Sequence, residues 1–293
     1  MKTNLVFLNF SIFFILFSIA VSNKCKQVKW KKFIALGDSN TEQGFGHSQW
    51  LSKIAEMFER KLDVINRGFS GYNSEHIRYF LKDILDEFDV ESIAGMTILL
   101  GTNDSVNKTN TLQHVPLKKF KENMELIIKY LISKGIKANR IILISPPRID
   151  DRKLEQIMGK SKTYLDSLVK EYAQVCREIV DELDVLFLDL NKAMFDVGDM
   201  KYAEYLSDGI HFTYEGGTYL FEKLKPFLKK NIAENVESNY PQFTNLNIMP
   251  NNINSKEPSI IIIIFMLFGI FTFFRVLVYL LKLTKKLKSI FLN

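Results

Sequence analysis

Cysteine is scarce in this sequence, which has only Cys25 and Cys176 among its 293 residues. Two cysteines are too few for a disulfide scaffold, although this pair could form a single bridge in an oxidising compartment. Histidine is also rare, with four residues, and the chain contains no C-x-x-C, no H-E-x-x-H and no cluster of Cys and His. The sequence therefore gives no support for a structural or catalytic zinc site.

A basic surplus is missing from the middle of the chain, although the formal net charge of the whole sequence is +6. Residues 1–32 carry six lysines and no acid, and residues 275–293 carry five cations and no acid. Removing these 11 cations from the total of 39 leaves 28 basic residues against 33 acidic residues, a net charge of −5. A groove that follows a phosphate backbone needs clustered Lys and Arg on one face, so we predict no nucleic-acid partner.

The first residues have the layout of a secretory signal peptide. Lys2 precedes an apolar stretch over residues 10–21, and the small residues at the end of this stretch offer a cleavage site. We therefore predict a signal peptide over residues 1–22 and a linker over residues 23–31. An uncleaved signal anchor is the alternative, because the apolar stretch could extend back to Leu5.

A second apolar run, Ile260–Leu281, contains one charged residue, Arg275. About 20 apolar residues span the hydrocarbon core of a bilayer as a helix, so we predict a transmembrane helix over residues 259–282. The basic segment 283–293 would then be a cytoplasmic tail by the positive-inside rule. Together with a cleaved signal peptide, this predicts a single-pass type I membrane protein whose middle part is luminal or extracellular. A GPI signal is less favoured, because its tail should end in the hydrophobic segment.

Strand and helix patterns alternate between the two ends. Five short apolar runs are typical of buried strands: 33–36, 64–66, 96–100, 141–144 and 185–188. Longer segments with helical spacing separate them: 50–61, 76–88, 117–133, 162–183 and 217–230. This alternation predicts an α/β domain over residues 32–232 with a five-stranded parallel sheet covered on both faces. Residues 233–258, rich in Asn, Ser, Pro and Glu, are predicted to form a stalk.

Functional sites in open α/β sheets lie at the carboxyl ends of the strands. Polar segments stand there in this sequence. Residues 37–41 follow the first strand, 66–73 the second and 101–105 the third, while 208–211 stand near the end of the domain. Each segment alone is a weak signal, but four of them in this order indicate one site.

These segments supply the groups of an acyl-transfer site. Serine is a weak nucleophile until a base takes its proton, and we expect Ser39 to be the nucleophile and His211 the base. Asp208 can fix the tautomer of the imidazole and stabilise the imidazolium. The oxyanion of a tetrahedral intermediate needs preorganised donors, for which Gly71, Asn103 and the Ser39 N–H are the candidates.

The same segments resemble the SGNH (GDSL-type) hydrolases, and more narrowly the isoamyl acetate-hydrolyzing esterase branch. Asn66–Asn73 is the most specific match, and Leu100–Ser105, His114–Leu117 and Tyr205–His211 support it. The similarity covers the whole of residues 32–231. A G-x-S-x-G motif is absent, which argues against the α/β-hydrolase fold.

The resemblance implies a flavodoxin-like three-layer α/β/α sandwich, the SGNH hydrolase fold. Its four signature residues map onto Ser39, Gly71, Asn103 and His211, with Asp208 completing the triad. The family works without a metal or an organic cofactor. In this family an aliphatic residue commonly follows the nucleophile, so we expect Asn40 to alter the floor of the pocket.

The leading hypothesis is a serine esterase that hydrolyses short-chain, acetyl-type carboxylic esters through an acyl-enzyme intermediate. A lysophospholipase-like lipid hydrolase is the alternative, motivated by tethering beside a bilayer. A catalytically silent binding module displayed on a membrane is a second alternative. The partners expected from these hypotheses are a small-molecule ester or a lipid, and the membrane through the C-terminal helix.

Overall fold

Five parallel strands form one sheet in a computed structural model that describes residues 30–109, 112–159, 163–236 and 260–291. The strands are β1 (Lys31–Gly37), β2 (Leu62–Gly68), β3 (Ile93–Leu99), β4 (Ile141–Ile144) and β5 (Leu186–Leu188). Their order in the sheet is β2-β1-β3-β4-β5, and every neighbouring pair is parallel. The predicted five-stranded parallel sheet is therefore confirmed, in the order typical of flavodoxin-like folds.

Helices connect the strands. They are α1 (Ser39–Glu42), α2 (Trp50–Met57), α3 (Ser74–Asp86), α4 (Leu117–Ser133), α5 (Asp151–Met158), α6 (Asp166–Leu183), α7 (Leu190–Asp196), α8 (Asp199–Glu204) and α9 (Tyr214–Phe227). The spacing of apolar residues predicted both ends of α4 correctly. It did not predict α1, α5, α7 or α8; of these, α1, α7 and α8 have only four to seven residues and are too short to show a helical period.

The central strands β1, β3 and β4 are buried on both faces of the sheet, which explains why they are mainly apolar runs. In β1, Phe33 and Ala35 point to one face, where they pack with residues of α2 and α9. Ile34 and Leu36 point to the other face, where they pack with residues of α3, α4 and α6. Two helical layers with the sheet between them form the predicted three-layer sandwich.

The strand register places the first three loops at one edge of the sheet. Gly37 at the end of β1 pairs with Gly68 of β2 on one side and with Leu99 of β3 on the other. The chain reverses its direction of winding between β1 and β3, and such a switch point forms a crevice at the carboxyl ends of the strands. The loops after β1, β2 and β3 therefore meet at the place where a site is expected.

The membrane topology predicted above is wrong. Residues 260–291 form one helix, α10, in a unit of the chain separate from the sheet, and this helix continues through the predicted boundary at residue 282. Within the described residues, no helix combines the length and the apolar character that crossing a bilayer requires. Where the side chains of α10 are described, residues 268–285, they include Arg275, Lys282 and Lys285. The predicted type I topology and membrane anchor are therefore not supported.

Other predicted segments fall outside the described residues. They are the signal peptide at 1–22, most of the linker at 23–31 and most of the stalk at 233–258. These boundaries remain predictions. Cys176 is a free, buried thiol in α6, and Cys25 lies outside the described residues.

Candidate active site

Ser39 stands at the start of α1, directly beyond the end of β1. Asp38 caps this helix, because its Oδ1 accepts a hydrogen bond from the Asn40 N–H at 3.0 Å. The helix lies so close to the sheet that a Cβ atom on Gly68 would come within 2.0 Å of the Glu42 nitrogen. Only glycine fits at position 68, and this close packing holds Ser39 at the edge of the sheet.

Ser39, His211 and Asp208 form a continuous chain of hydrogen bonds. The Ser39 Oγ lies 2.9 Å from the His211 Nε2, and the His211 Nδ1 lies 2.6 Å from the Asp208 Oδ2. The other carboxylate oxygen of Asp208 accepts the backbone N–H groups of Ile210 and His211, each at 2.8 Å. With the Nδ1 proton held by Asp208, the Nε2 is left to accept the proton of the serine hydroxyl.

The electrostatics of this chain favour a charged pair of Asp208 and His211. Partial burial alone would raise the pKa of Asp208, but the hydrogen bonds from His211 and Ile210 outweigh burial and hold that pKa well below its ordinary value. The hydrogen bond to Asp208 raises the pKa of His211 above 6.5, against the opposing effect of burial. Asp208 therefore stays ionised, and His211 gains basicity, which suits an imidazole that takes up a proton.

Gly71 and Asn103 are brought together by Gln113, a residue that the sequence reasoning missed. The Gln113 Nε2 donates to the Gly71 carbonyl at 3.1 Å and to the Asn103 Oδ1 at 3.3 Å. Gly71 has φ of +79°, a conformation that side chains rarely adopt, so the loop after β2 needs glycine here. Gln113 thus links the two residues expected to bind an oxyanion.

The direction of the Asn103 amide is set by its neighbours. Its Oδ1 accepts the Tyr164 hydroxyl at 3.0 Å as well as Gln113, while its Nδ2 donates to the Tyr72 carbonyl at 2.8 Å. An amide nitrogen carries two hydrogens, so one N–H of Asn103 remains for a ligand. Tyr164 was also missed, because a tyrosine 61 residues further along the chain has no motif that marks it.

Two buried carboxyl groups lie beneath the site. Burial raises the pKa of Asp38 to about 6, although the Asn40 N–H and nearby His211 favour its charged form. Burial also raises the pKa of Asp104 to about 7, against the hydrogen bonds that it accepts from Ser74. The Ser74 N–H lies 2.9 Å and 3.1 Å from the two carboxylate oxygens of Asp104. Asp104 therefore ties the loop that carries Asn103 to the start of α3.

The remaining histidines whose side chains are described have structural contacts. His76 and Asn73 form a capping box at the start of α3. The His114 Nδ1 lies 2.7 Å from the Val106 carbonyl. Across the described part of the chain, no three His, Cys, Asp or Glu side chains are grouped so that they could hold a metal ion.

Comparison with known proteins places this geometry in a family. The sequence profile of the GDSL-like Lipase/Acylhydrolase family matches residues 35–218, more than half of the chain. The chain is also 35% identical over 209 residues to the isoamyl acetate-hydrolyzing esterase 1 homolog of Homo sapiens, covering 70% of this chain and 84% of that protein. The chain belongs to the GDSL-like lipase/acylhydrolase family.

Membership confirms the resemblance to SGNH hydrolases of the isoamyl acetate-hydrolyzing esterase branch, and the chain is a carboxylic ester hydrolase. A GDSL esterase/lipase of Arabidopsis thaliana is 32% identical over 240 residues, covering 78% of this chain and 96% of that protein. The crystal structure of a lipase/acylhydrolase from Enterococcus faecalis superimposes with a TM-score of 0.54 at 23% identity, over 72% of this chain and all of that one. At that identity the superposition shows the SGNH fold, and membership of the family shows the type of reaction.

Proposed function

We propose that this enzyme hydrolyses short-chain, acetyl-type carboxylic esters through an acyl-enzyme intermediate on Ser39. The hydrogen-bonded chain Ser39–His211–Asp208 is the observation that carries this proposal. The acetyl preference is supported by the human, bovine and mouse relatives, whose names include isoamyl acetate, at 34–35% identity. The lipid-hydrolase alternative was motivated by a membrane anchor, which is not supported. The alternative of a catalytically silent binding module does not agree with the assignment of the chain as an ester hydrolase.

Acylation begins when the Ser39 Oγ attacks the carbonyl carbon of the ester and the His211 Nε2 takes the hydroxyl proton. The imidazolium that forms is stabilised by the Asp208 carboxylate. As the tetrahedral intermediate collapses, His211 returns the proton to the leaving alkoxide oxygen, so that the alcohol departs neutral. The acyl group is then bound to Ser39 as an ester.

Deacylation repeats these steps with water as the nucleophile. His211 takes a proton from the water as its oxygen attacks the acyl carbon, and then returns the proton to the Ser39 Oγ as the carboxylic acid leaves. In both acylation and deacylation, the negative charge on the carbonyl oxygen needs hydrogen-bond donors. In this proposal the hydrogen-bond donors are the free N–H of Asn103, the Gly71 N–H and the Ser39 N–H. The Ser39 N–H has no intrahelical partner, because Ser39 is at the first position of α1.

Activity toward p-nitrophenyl acetate tests the proposal. Ser39→Ala and His211→Ala are each expected to lower kcat by several orders of magnitude, and Asn103→Ala by ~10²–10³ if its N–H binds the oxyanion. Ser52→Ala is the matched control, because its hydroxyl donates to the Phe45 carbonyl outside this chain of hydrogen bonds. Unchanged activity in Ser39→Ala would refute the mechanism.

The acyl preference needs a separate measurement. A series of p-nitrophenyl esters from acetyl to dodecanoyl, assayed with the same enzyme, should show kcat/KM falling sharply beyond butanoyl. A rise toward dodecanoyl would contradict the short-chain preference and favour a lipid substrate instead. Labelling of Ser39 by a fluorophosphonate probe, located by peptide mapping, would identify the nucleophile independently of the substrate chosen.

A further inference from the structure

The side chain of Asn40 contacts the backbone on both sides of His211. Its Nδ2 donates to the Ile210 carbonyl at 3.3 Å, and its Oδ1 accepts from the Phe212 N–H at 3.2 Å. Asn40 is 2% exposed, so these bonds are made away from competing water. The Asn40 amide therefore binds the segment that carries His211. From the sequence, Asn40 was expected only to alter the floor of the pocket.

Asn40 is itself held firmly. Its backbone N–H donates to the Asp38 Oδ1 at 3.0 Å, and its carbonyl accepts the indole N–H of Trp50 at 3.1 Å. Trp50 is completely buried in the core, so this second contact is anchored to α2. The peptide groups on both sides of Asn40 are therefore held in place.

Neighbouring contacts hold other groups of the same segment. The Gln49 Nε2 donates to the carbonyls of Phe212 at 3.1 Å and Thr213 at 3.0 Å, and the His211 carbonyl accepts the Ser207 N–H at 2.8 Å. Asn40 is the side chain that binds the two backbone groups next to His211 on either side. It is also covalently adjacent to Ser39, so one dipeptide contacts both the His211 ring and the backbone of the residues on either side of it.

We propose that Asn40 is a positioning residue that fixes the His211 imidazole relative to the Ser39 hydroxyl by clamping the backbone at Ile210 and Phe212. This inference rests on the proposed roles of Ser39 and His211. The clamp limits the movement of the ring away from Ser39 and Asp208. Small displacements of a base reduce the rate strongly, because proton transfer needs the donor and acceptor within hydrogen-bond distance.

The test compares Asn40→Leu and Asn40→Ala with the wild-type enzyme. Asn40→Leu has a similar volume and loses both bonds, and Asn40→Ala excludes a steric clash as the cause. Both are expected to lower kcat for p-nitrophenyl acetate at least about tenfold while KM stays within about twofold, the pattern of a lost transition-state contact. Asn191→Leu is the matched control, because it removes a buried amide that donates to the Pro146 carbonyl. It should keep the wild-type kcat.

The pH profile gives a readout that a general loss of packing would not change. Two carboxylates, Asp208 and Asp38, face His211, and Asn40→Leu alters neither of them. If the clamp keeps His211 against Asp208, its loss should move the acid limb of kcat/KM to lower pH, because the pairing that raises the pKa of His211 becomes weaker. An acid limb at the wild-type pH in folded Asn40→Leu and Asn40→Ala would overturn the proposal.

A double-mutant cycle separates this inference from the mechanism on which it rests. If Asn40 acts through His211, Asn40→Leu should have no further effect on the residual rate in the His211→Ala background. An equal loss in both backgrounds would show that Asn40 acts elsewhere. Ser39→Ala and His211→Ala are assayed in parallel. If they retain activity the proposed mechanism fails, whereas if they lose activity and Asn40→Leu does not, only the positioning role fails.

Discussion

Replacing Asp104 with Asn should stabilise the enzyme at neutral and basic pH. The Asp104 side chain is completely buried, and burial raises its pKa from 3.8 to about 7, with the charge of Asp38 adding to the effect. One pKa unit corresponds to about 1.4 kcal/mol, so ionising Asp104 in the folded state costs about 4 kcal/mol at high pH. Asn keeps an oxygen that can accept the Ser74 N–H and carries no charge.

The direction and the pH range of this stabilisation follow from the difference in proton binding between the folded and unfolded states. Below pH 3.8 the folded and unfolded chains both hold the Asp104 proton, and the carboxyl group costs nothing. Between 3.8 and about 7 only the folded chain keeps it, so the free energy of unfolding falls as pH rises. Above about 7 both states are ionised and the penalty is constant. The advantage of Asp104→Asn should therefore be absent in acid, grow through this window and reach a plateau.

Urea unfolding at about pH 4, about pH 6 and about pH 8 measures this difference. Asp63→Asn is the matched control, since Asp63 is an exposed carboxylate in β2 and the same substitution there removes no buried carboxyl group. A difference between Asp104→Asn and wild type that is the same at all three pH values would refute the argument from burial. A less stable Asp104→Asn variant at about pH 8 would show instead that the ionised carboxylate is needed by Ser74.

Three further substitutions have specific expected outcomes. Asp208→Asn should lower kcat by about 10³–10⁴ and move the acid limb of the pH–rate profile to lower pH, because the carboxylate that raises the pKa of His211 is lost. Gln113→Met removes the donor shared by Gly71 and Asn103 and should lower kcat about tenfold in the p-nitrophenyl acetate assay, with KM nearly unchanged. Gly71→Ala forces a side chain to adopt φ of +79° and should lower the free energy of unfolding by ~1–2 kcal/mol in urea; an unchanged value would contradict the strain argument.

The regular part of the fold was predictable from the sequence because it depends on local patterns. β1, β3 and β4 are mainly apolar runs buried on both faces of the sheet, and α4 is long enough to show its helical period. The membrane topology predicted from the C-terminal run Ile260–Leu281 is contradicted, because no helix within the described residues is long and apolar enough to cross a bilayer.

The candidate site was only partly predictable. Ser39, Gly71 and Asn103 follow strands, so topology alone places them at one edge of the sheet. Asn40 and Gln113 bind backbone carbonyls and amide groups that lie far away in the sequence. Such contacts leave no sequence motif. The partner of Asn40 lies 170 residues further along the chain. Positions of this kind are identified only once the chain is folded.

The separation of Ser39 and His211 by 172 residues has a consequence for the newly made protein. Ribosomes add roughly 5–20 residues per second, so the proposed nucleophile is synthesised roughly ten to thirty seconds before the proposed base. During that interval the nascent chain holds a serine with no partner to take its proton. In the proposed mechanism, ester hydrolysis can therefore start only after translation has passed α8 and the segment that carries His211 has folded against Ser39.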